Sequence, residues 1–402
     1  MGPGVAHRAP GRRAGAGRFS GGVTVPSGQL TPQSPVDAAR MLRAIALAER
    51  SPWPDPNPRV GCVIVDRAGE VVAEGWHRGA GTPHAEAAAL ALAGERARGG
   101  TAYVSLEPCA HRGRTGPCSD ALVEAGVARV VYAQADPNAE ASGGADVLRA
   151  AGVQIVGGLL ADEAAALNDR WVRTITLGRP LVTWKFAATL DGRSAAADGS
   201  SQWITGPAAR ADVHALRATR DAIVAGTGTV LADDPRLTVR PDTVVAPTDR
   251  RTGPEVAPGA AAAPGPVGSQ PLRVVVGLRA VPPSARVHAG PGEVLHLRTR
   301  DVHAVLAALW SRGVREVWLE GGPTLAAAFW AADLVDDVYA YLAPALLGAG
   351  PAAVGDLGIR SIDGIRRLEI TDVSQVGADV RVHAVPSHPV RPARSVVVTG
   401  RE

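Results

Sequence analysis

The feature that most constrains this 402-residue chain is an alternation that runs twice. Short Val/Ile-rich runs of strand length alternate with Ala-rich stretches of helical spacing. Strands spaced in this way bury both faces under helices, which defines an α/β architecture. The first pass opens with a helix in PVDAARMLRAIALAER, where Met41, Leu42, Ile45 and Leu47 fall near one face. Strands VGCVIVD and EVVAEGWH follow, then a helix in HAEAAALALAGERARGG that glycine stops. Strand TAYVSLEP, helix CSDALVEAG and strand VARVVYAQ come next, and ADVLRAAG and VQIVGGLL continue the pattern. A helix in DEAAALNDRWVRTITLG leads out. After Pro180 the alternation restarts with strand LVTWKFAATLDG, helix GPAARADVHALRATR and strand DAIVAG. Strands LRVVVGL and EVLHL, helix VHAVLAALWSRG, strand REVWLE and helix TLAAAFWAA follow, and LVDDVYAYLAP and ADVRVHAV close the second pass.

The expected organisation is therefore a Gly/Pro/Arg-rich disordered extension over 1–35, one α/β unit over 36–178, a second over 179–386 and a tail over 387–402. Residues 241–270 are rich in Pro, Ala and Gly and lack periodicity, so they read as a flexible surface insertion inside the second unit. No apolar run approaches the roughly 20 residues that span a membrane. The extension has no apolar core of a secretory signal. Its Arg8, Arg12, Arg13 and Arg18 read as a solvated tail, because the formal net charge of the chain is only +3. Three cysteines cannot staple a chain this long. The expectation is a cytoplasmic protein that binds neither nucleic acid nor membrane.

Composition adds one signal. Lys185 is the single lysine among 42 basic residues, and Asn57, Asn138 and Asn168 are the only asparagines. A chain that has otherwise replaced Lys by Arg keeps Lys where shape, hydration or pKa range matters.

The chemistry-bearing motifs lie in the first unit. In TPHAEAAAL, His84 and Glu86 stand two apart at a helix start. Residues so spaced do not share a helix face. They suit one metal ligand plus one nearby acid that is not a ligand. Cys109 ends a strand and Cys118 starts a helix, in LEPCAHRGRTGPC. His with two thiolates gives Zn²⁺ three protein ligands and an open position. Zinc lowers the pKa of its water, and Glu86 can then pass a proton to a leaving nitrogen. PHAE followed by a strand running into EPC is the pattern of zinc nucleobase deaminases, although their second cysteine usually follows at Cys-x-x-Cys spacing. Cys62, inside VGCVIV, reads as core. A deaminase of free nucleosides or RNA, with an unrelated C-terminal half, is one alternative. A structural zinc module is another, although it would need a fourth ligand.

In the second unit, VWLEGGPTLAAAF joins a strand, a Gly pair and a helix start, which suits either a phosphate site or a plain turn. Gly226 and Gly228 of AGTGTVLADDP read as turn glycines. Arg217 and Arg240 are candidate phosphate clamps.

DPNPRVGCVIV, PHAEAAAL and LEPCAHRGRTGPC together resemble the bifunctional deaminase–reductase family of bacterial riboflavin biosynthesis. KFAATLDGRSA, SQWITGPAARADVHALRATRDAIVAGTGTVLADDPRLTVR and EGGPTLAAAF extend that likeness over most of residues 180–385. The resemblance implies a cytidine-deaminase-like zinc domain followed by a dihydrofolate-reductase-like domain. It implies zinc on His84, Cys109 and Cys118, with Glu86 as proton shuttle. It assigns His111 and Arg114 to the substrate phosphate, and Asn57 and Asn138 to the pyrimidine and ribose. In the second domain it assigns Ser201, Arg217, Leu237, Arg240 and Glu320 to substrate. Ala187, Trp203, Thr229, Asp233, Gly322, Pro323, Thr324 and Leu325 fall to NADPH. Lys185 lies in the matching KFAATLDG stretch, and its ammonium is expected to act in catalysis by orienting the ribose oxygens or stabilising charge as hydride reaches C1′. The implied substrate is a small phosphorylated pyrimidine, and the implied assembly a homo-oligomer. Gly116, Ala139, Gly277 and Leu278 depart from the family pattern, as does the long insertion.

Overall fold

A computed structural model describes residues 34–111, 116–240 and 270–387. The expected disordered extension up to residue 33, Arg114 with the rest of 112–115, the insertion over 241–269 and the tail from 388 lie outside the described residues.

The first unit is built on a five-stranded sheet. Its elements are α1 (Pro35–Ala48), β1 (Gly61–Val65), β2 (Val71–Trp76), α2 (Ala85–Ala93), β3 (Thr101–Leu106), α3 (Cys118–Glu124), β4 (Arg129–Gln134), α4 (Gly144–Ala150) and β5 (Gln154–Gly157). The strand order is β2-β1-β3-β4-β5, with β1 antiparallel to both neighbours and β3, β4 and β5 parallel. Side chains on β1 alternate between two cores, as a two-residue period requires. Cys62 and Ile64 face the core under α2, α3 and α4, while Val63 and Val65 face the core under α1. Cys62 is thus a buried core residue. Ser34 caps α1 by accepting from the Asp37 N–H at 3.1 Å, and Pro35 opens the helix. Leu42 points to solvent, and Ala44 and Ala48 occupy the buried face instead. The reason is close packing: a Cβ at Gly61 would lie 2.1 Å from the Ala44 carbonyl oxygen, so α1 rests directly on β1.

Helix α5 (Ala161–Leu177) leads to an eight-stranded sheet. This unit comprises β6 (Leu181–Thr189), α6 (Pro207–Arg217), β7 (Ala222–Gly226), α7 (Thr227–Asp233), β8 (Leu272–Val276), β9 (Val294–Leu297), α8 (Val302–Ser311), β10 (Glu316–Glu320), α9 (Pro323–Ala331), β11 (Asp337–Ala343), β12 (Leu368–Val376) and β13 (Asp379–Pro386). The order is β12-β13-β11-β6-β10-β7-β8-β9. Strands from β11 to β9 in that order are parallel, and β13 and β12 add an antiparallel edge. Val317 and Leu319 of β10 enter one core and Trp318 the other.

Two elements depart from the sequence expectation. The segment read as turn glycines is helix α7, capped by Gly226 and closed by Asp234 at φ +41°. Strand β12 is absent from the expectation because its apolar residues are interleaved with Glu369, Asp372 and Gln375 on an exposed edge. Its backbone pairing with β13 defines it. The strands flanking the insertion, β7 and β8, are neighbours in one sheet. Gln270 closes the base of the insertion by bonding both the N–H and the carbonyl of Val239, at 2.8 and 3.0 Å.

Helix α5 binds the two sheets together. Arg170 donates to Glu316 at 2.6 and 2.5 Å and to Asp337 at 3.0 Å. Both acids stand at strand starts and are almost fully buried. Such carboxylates are tolerated inside a protein only when paired and hydrogen-bonded. On the other side of α5, Asn168 brackets the backbone of Arg59, accepting its N–H at 2.9 Å and donating to its carbonyl at 3.0 Å.

Candidate active sites

Helix α2 sits on β2 because residue 75 is glycine. A Cβ there would lie 2.3 Å from the Ala85 carbonyl oxygen and 2.7 Å from the Ala89 nitrogen. This contact brings the start of α2, with His84 as its N-cap, against the end of β3 and the start of α3. His84 Nδ1 lies 3.2 Å from Cys118 Sγ and 3.6 Å from Cys109 Sγ, and the Cys118 N–H points at Cys109 Sγ at 3.4 Å. The three ligand atoms fall within 4.8 Å of one another. Two sulfurs and one imidazole nitrogen so clustered match the donor set and size of a tetrahedral zinc site with one open position.

Glu86 is buried at 3% exposure beside these groups and is not among the three ligands. Burial, reinforced by the Cys109 thiolate, pushes its carboxyl up to about 7. The Cys109 thiol is held down to about 4 by hydrogen bonds from Cys118 and His84. His84 is raised, chiefly by its hydrogen bond to Cys109.

The same cavity, of about 460 Å³, is also lined by Asn57, His111 and Asn138. Both asparagines follow an Asp-Pro pair, and each Asp accepts the N–H of the Asn two residues on. Asp55 takes Asn57 at 2.8 Å, and Asp136 takes Asn138 at 2.9 Å. These are Asx turns, which fix the two asparagines at the cavity wall, where Asn138 Oδ1 also accepts the Glu140 N–H at 3.1 Å. Sequence reasoning missed three groups here. His77 pairs with the Asn57 amide at 3.2 Å, Asp136 is raised by burial to about 6, and Glu107 accepts the N–H groups of Asp136 and Ala145. The repeated Asp-Pro-Asn was the signal that could have marked Asp55 and Asp136. Nothing in the pattern singles out His77.

The second cluster lies where Glu320, at the carboxyl end of β10, meets the middle of β6. Lys185 and Glu320 are cross-strand partners. Arg217 holds Glu320 bidentately, with Nε at 2.6 Å from Oε1, and also donates to the Thr238 carbonyl at 3.1 Å. Trp318 donates to the same carboxylate. Burial would raise Glu320, but the Arg217 charge outweighs it and holds the carboxyl down to about 2. Burial lowers Lys185. Arg240 donates to His214 at 3.1 Å. His214 is a buried residue that the sequence did not mark, lowered by burial and Arg217 to about 4.

The remaining predicted residues are placed as follows. Ser201 donates to Asp233 at 3.5 Å. Thr229 Oγ1 accepts the Gly322 N–H at 2.7 Å, tying α7 to the start of α9. Pro323, Thr324 and Leu325 form the first turn of α9. Trp203 is 64% exposed and carries Arg210 on its ring at 4.5 Å. Leu237 packs into the core beside α6 with its backbone at φ +53°, and the half-buried Ala187 packs against the same core. A Cβ at Gly321 would meet the Gly226 nitrogen at 3.3 Å, and one at Gly322 would meet Thr229 Oγ1 at 3.3 Å. The glycine pair thus lets the start of α9 approach β7 and α7 closely, with the Gly322 N–H already bonded to Thr229. Gly277, the departure from the family pattern, has a cause. A Cβ there would stand 2.4 Å from Thr227 Oγ1 at the start of α7.

A buried His-Cys-Cys cluster with a non-ligating acid, joined to a second α/β unit with a Lys-Glu-Arg cluster, defines a zinc deaminase coupled to a cofactor-dependent enzyme. Comparison with known proteins agrees. The RibD C-terminal domain family matches residues 180–382, and the cytidine and deoxycytidylate deaminase zinc-binding region matches residues 35–134. The riboflavin biosynthesis protein RibD of Mycobacterium tuberculosis is 48% identical over 331 residues, covering 82% of this chain and 91% of that protein. The Escherichia coli RibD is 41% identical over 375 residues, covering 87% of this chain and 99% of that protein. The solved structure of Acinetobacter baumannii RibD superposes with a TM-score of 0.71 at 37% identity, covering 88% of this chain and 99% of that one. The Thermotoga maritima diaminohydroxyphosphoribosylaminopyrimidine deaminase/5-amino-6-(5-phosphoribosylamino)uracil reductase gives 0.69 at 30% identity, covering 87% and 99%. The chain belongs to the RibD family of riboflavin biosynthesis, bifunctional enzymes that pair a zinc deaminase with an NADPH-dependent reductase.

Proposed function

We propose that residues 36–178 hydrolytically deaminate 2,5-diamino-6-(5-phosphoribosylamino)pyrimidin-4(3H)-one, and that residues 179–386 then reduce the ribosyl chain of the product to ribityl with NADPH. The observation that carries this reading is the buried Glu86 beside the His84, Cys109 and Cys118 donors. Zinc bound to those donors supplies the Lewis acidity that makes water acidic near neutral pH. Glu86, buried beside those donors, takes a proton from water as the oxygen adds to the amine-bearing carbon. It returns that proton to the leaving nitrogen, so water is consumed and ammonia released. Asn57 and Asn138 present donor and acceptor to the pyrimidine and ribose. His111 and Arg114 belong to the loop assigned to the sugar phosphate.

In the reductase, NADPH supplies the hydride that reaches C1′. Lys185 is assigned to orienting the ribose oxygens, with Glu320, Arg217, Arg240, Ser201 and the Leu237 backbone around the substrate. Thr229, Asp233, Ala187, Trp203 and the Gly322–Leu325 turn are assigned to the cofactor. Homo-oligomer formation is supported by the exposed edge strand β12, with Ile370 61% and Val373 60% exposed. No helix among the described residues is long and apolar enough to cross a membrane, and three cysteines without a disulfide suit a reducing compartment.

Glu86→Gln tests the deaminase assignment. The variant is expected to keep one zinc per chain by metal analysis and to lose ammonia release by at least about a hundredfold. Retained turnover would refute the shuttle, and lost zinc would make Glu86 part of the metal site instead.

A further inference from the structure

The cavity that holds His84, Glu86 and Cys109 does not close within the first unit. Part of its wall comes from Trp171 of α5, and part from Trp310 and Arg315, which belong to the reductase half. Arg315 directly precedes β10, and its guanidinium stacks on Trp310 at 3.6 Å from the ring centroid. Nη1 is steadied by the carbonyls of Trp310 and Val314, at 3.4 and 3.1 Å. Its Nε is buried without a hydrogen-bond partner. An unsatisfied guanidinium N–H in a buried wall favours an incoming anion. Burial also lowers the pKa of Arg315, as desolvation of an under-compensated cation does.

The placement of Arg315 is built into the fold. Asp221 accepts the backbone N–H groups of both Arg315 and Glu316, at 2.7 and 2.9 Å. Glu316 is the residue that Arg170 of α5 holds at 2.6 Å. The next residue of α5, Trp171, lines the cavity and donates to the Pro56 carbonyl at 3.2 Å. One helix therefore anchors the Asp-Pro-Asn loop on one side and the Arg315 turn on the other. Among the described residues lining the cavity, Arg315 is the single Lys or Arg, whereas Glu86, Glu107, Asp136 and Glu140 are acidic.

We infer that Arg315, supplied by the reductase half, binds the phosphate of the deaminase substrate, with Trp310 holding the guanidinium plane in place. The inference rests on the substrate proposed above. It makes the deaminase site a two-domain site, complete only when the halves are docked.

The test is steady-state ammonia release by full-length Arg315→Gln and Arg315→Lys, on the phosphorylated pyrimidine and on its dephosphorylated riboside. NADPH oxidation by the same preparations, supplied with the already deaminated pyrimidine, reports an intact fold. Arg315→Gln is expected to raise KM for the phosphorylated substrate about tenfold to a hundredfold with kcat little changed. The riboside should be turned over as by the unaltered enzyme, and Arg315→Lys should restore part of the affinity. An unchanged KM, or an equal loss on both substrates, would overturn the inference. Failure of the unaltered enzyme to deaminate the phosphorylated pyrimidine would instead sink the substrate reading, and the inference with it.

Discussion

Lys185 is a cation kept in a buried place, opposite a carboxylate that Arg217 already neutralises. Its Nζ lies 5.8 Å from the centre of the Tyr341 ring. A compact ammonium fits there, whereas a planar guanidinium would compete with Arg217 for the same acid. Lys185→Arg is therefore expected to lower NADPH oxidation about a hundredfold while leaving ammonia release intact, the scale typical of losing one preorganised polar group at a reacting centre. Unchanged reductase turnover would remove Lys185 from the catalytic machinery. The retention of rare residue types made this position legible in the sequence, and Asn57 and Asn138 with it. The same signal pointed to Asn168, which proves to be a bracket on the Arg59 backbone rather than a residue lining the cavity. Rarity marks a chemical need without saying whether a ligand or a backbone meets it. His77 and His214 were illegible because each acquires its setting from residues distant in the chain.

At the scale of elements, the zinc donors depend on how closely α2 approaches β2. Gly75 is the point of contact, and any side chain there meets the helix backbone. Gly75→Val should lift α2, cost about 1–3 kcal/mol of stability as overpacking does, and lower bound zinc, with reductase activity retained. Full zinc occupancy and normal deamination in that variant would detach the metal site from this contact. The alternating elements were readable because buried parallel strands are continuous apolar runs. Helix α7 and strand β12 were not. A seven-residue helix beginning directly after a strand glycine offers no capping signal, and an exposed edge strand carries its information in backbone pairing.

Across the whole molecule, α5 determines how the two chemistries sit together. Arg170 is held by two almost fully buried acids of the reductase sheet, while Asn168 and Trp171 hold the loop bearing Asn57. Hydrolytic deamination and reduction thus share one structural joint, which is not legible in the sequence because ion pairs across 146 and 167 residues leave no local pattern. The order of the two reactions is the central claim. It is tested most directly by incubating the enzyme with the diaminopyrimidine phosphate, first without NADPH and then with it, following ammonia and NADPH separately. Ammonia release without cofactor, followed by NADPH oxidation only after deamination, is the predicted result. NADPH oxidation that precedes ammonia release, or ammonia release that requires NADPH, would contradict it.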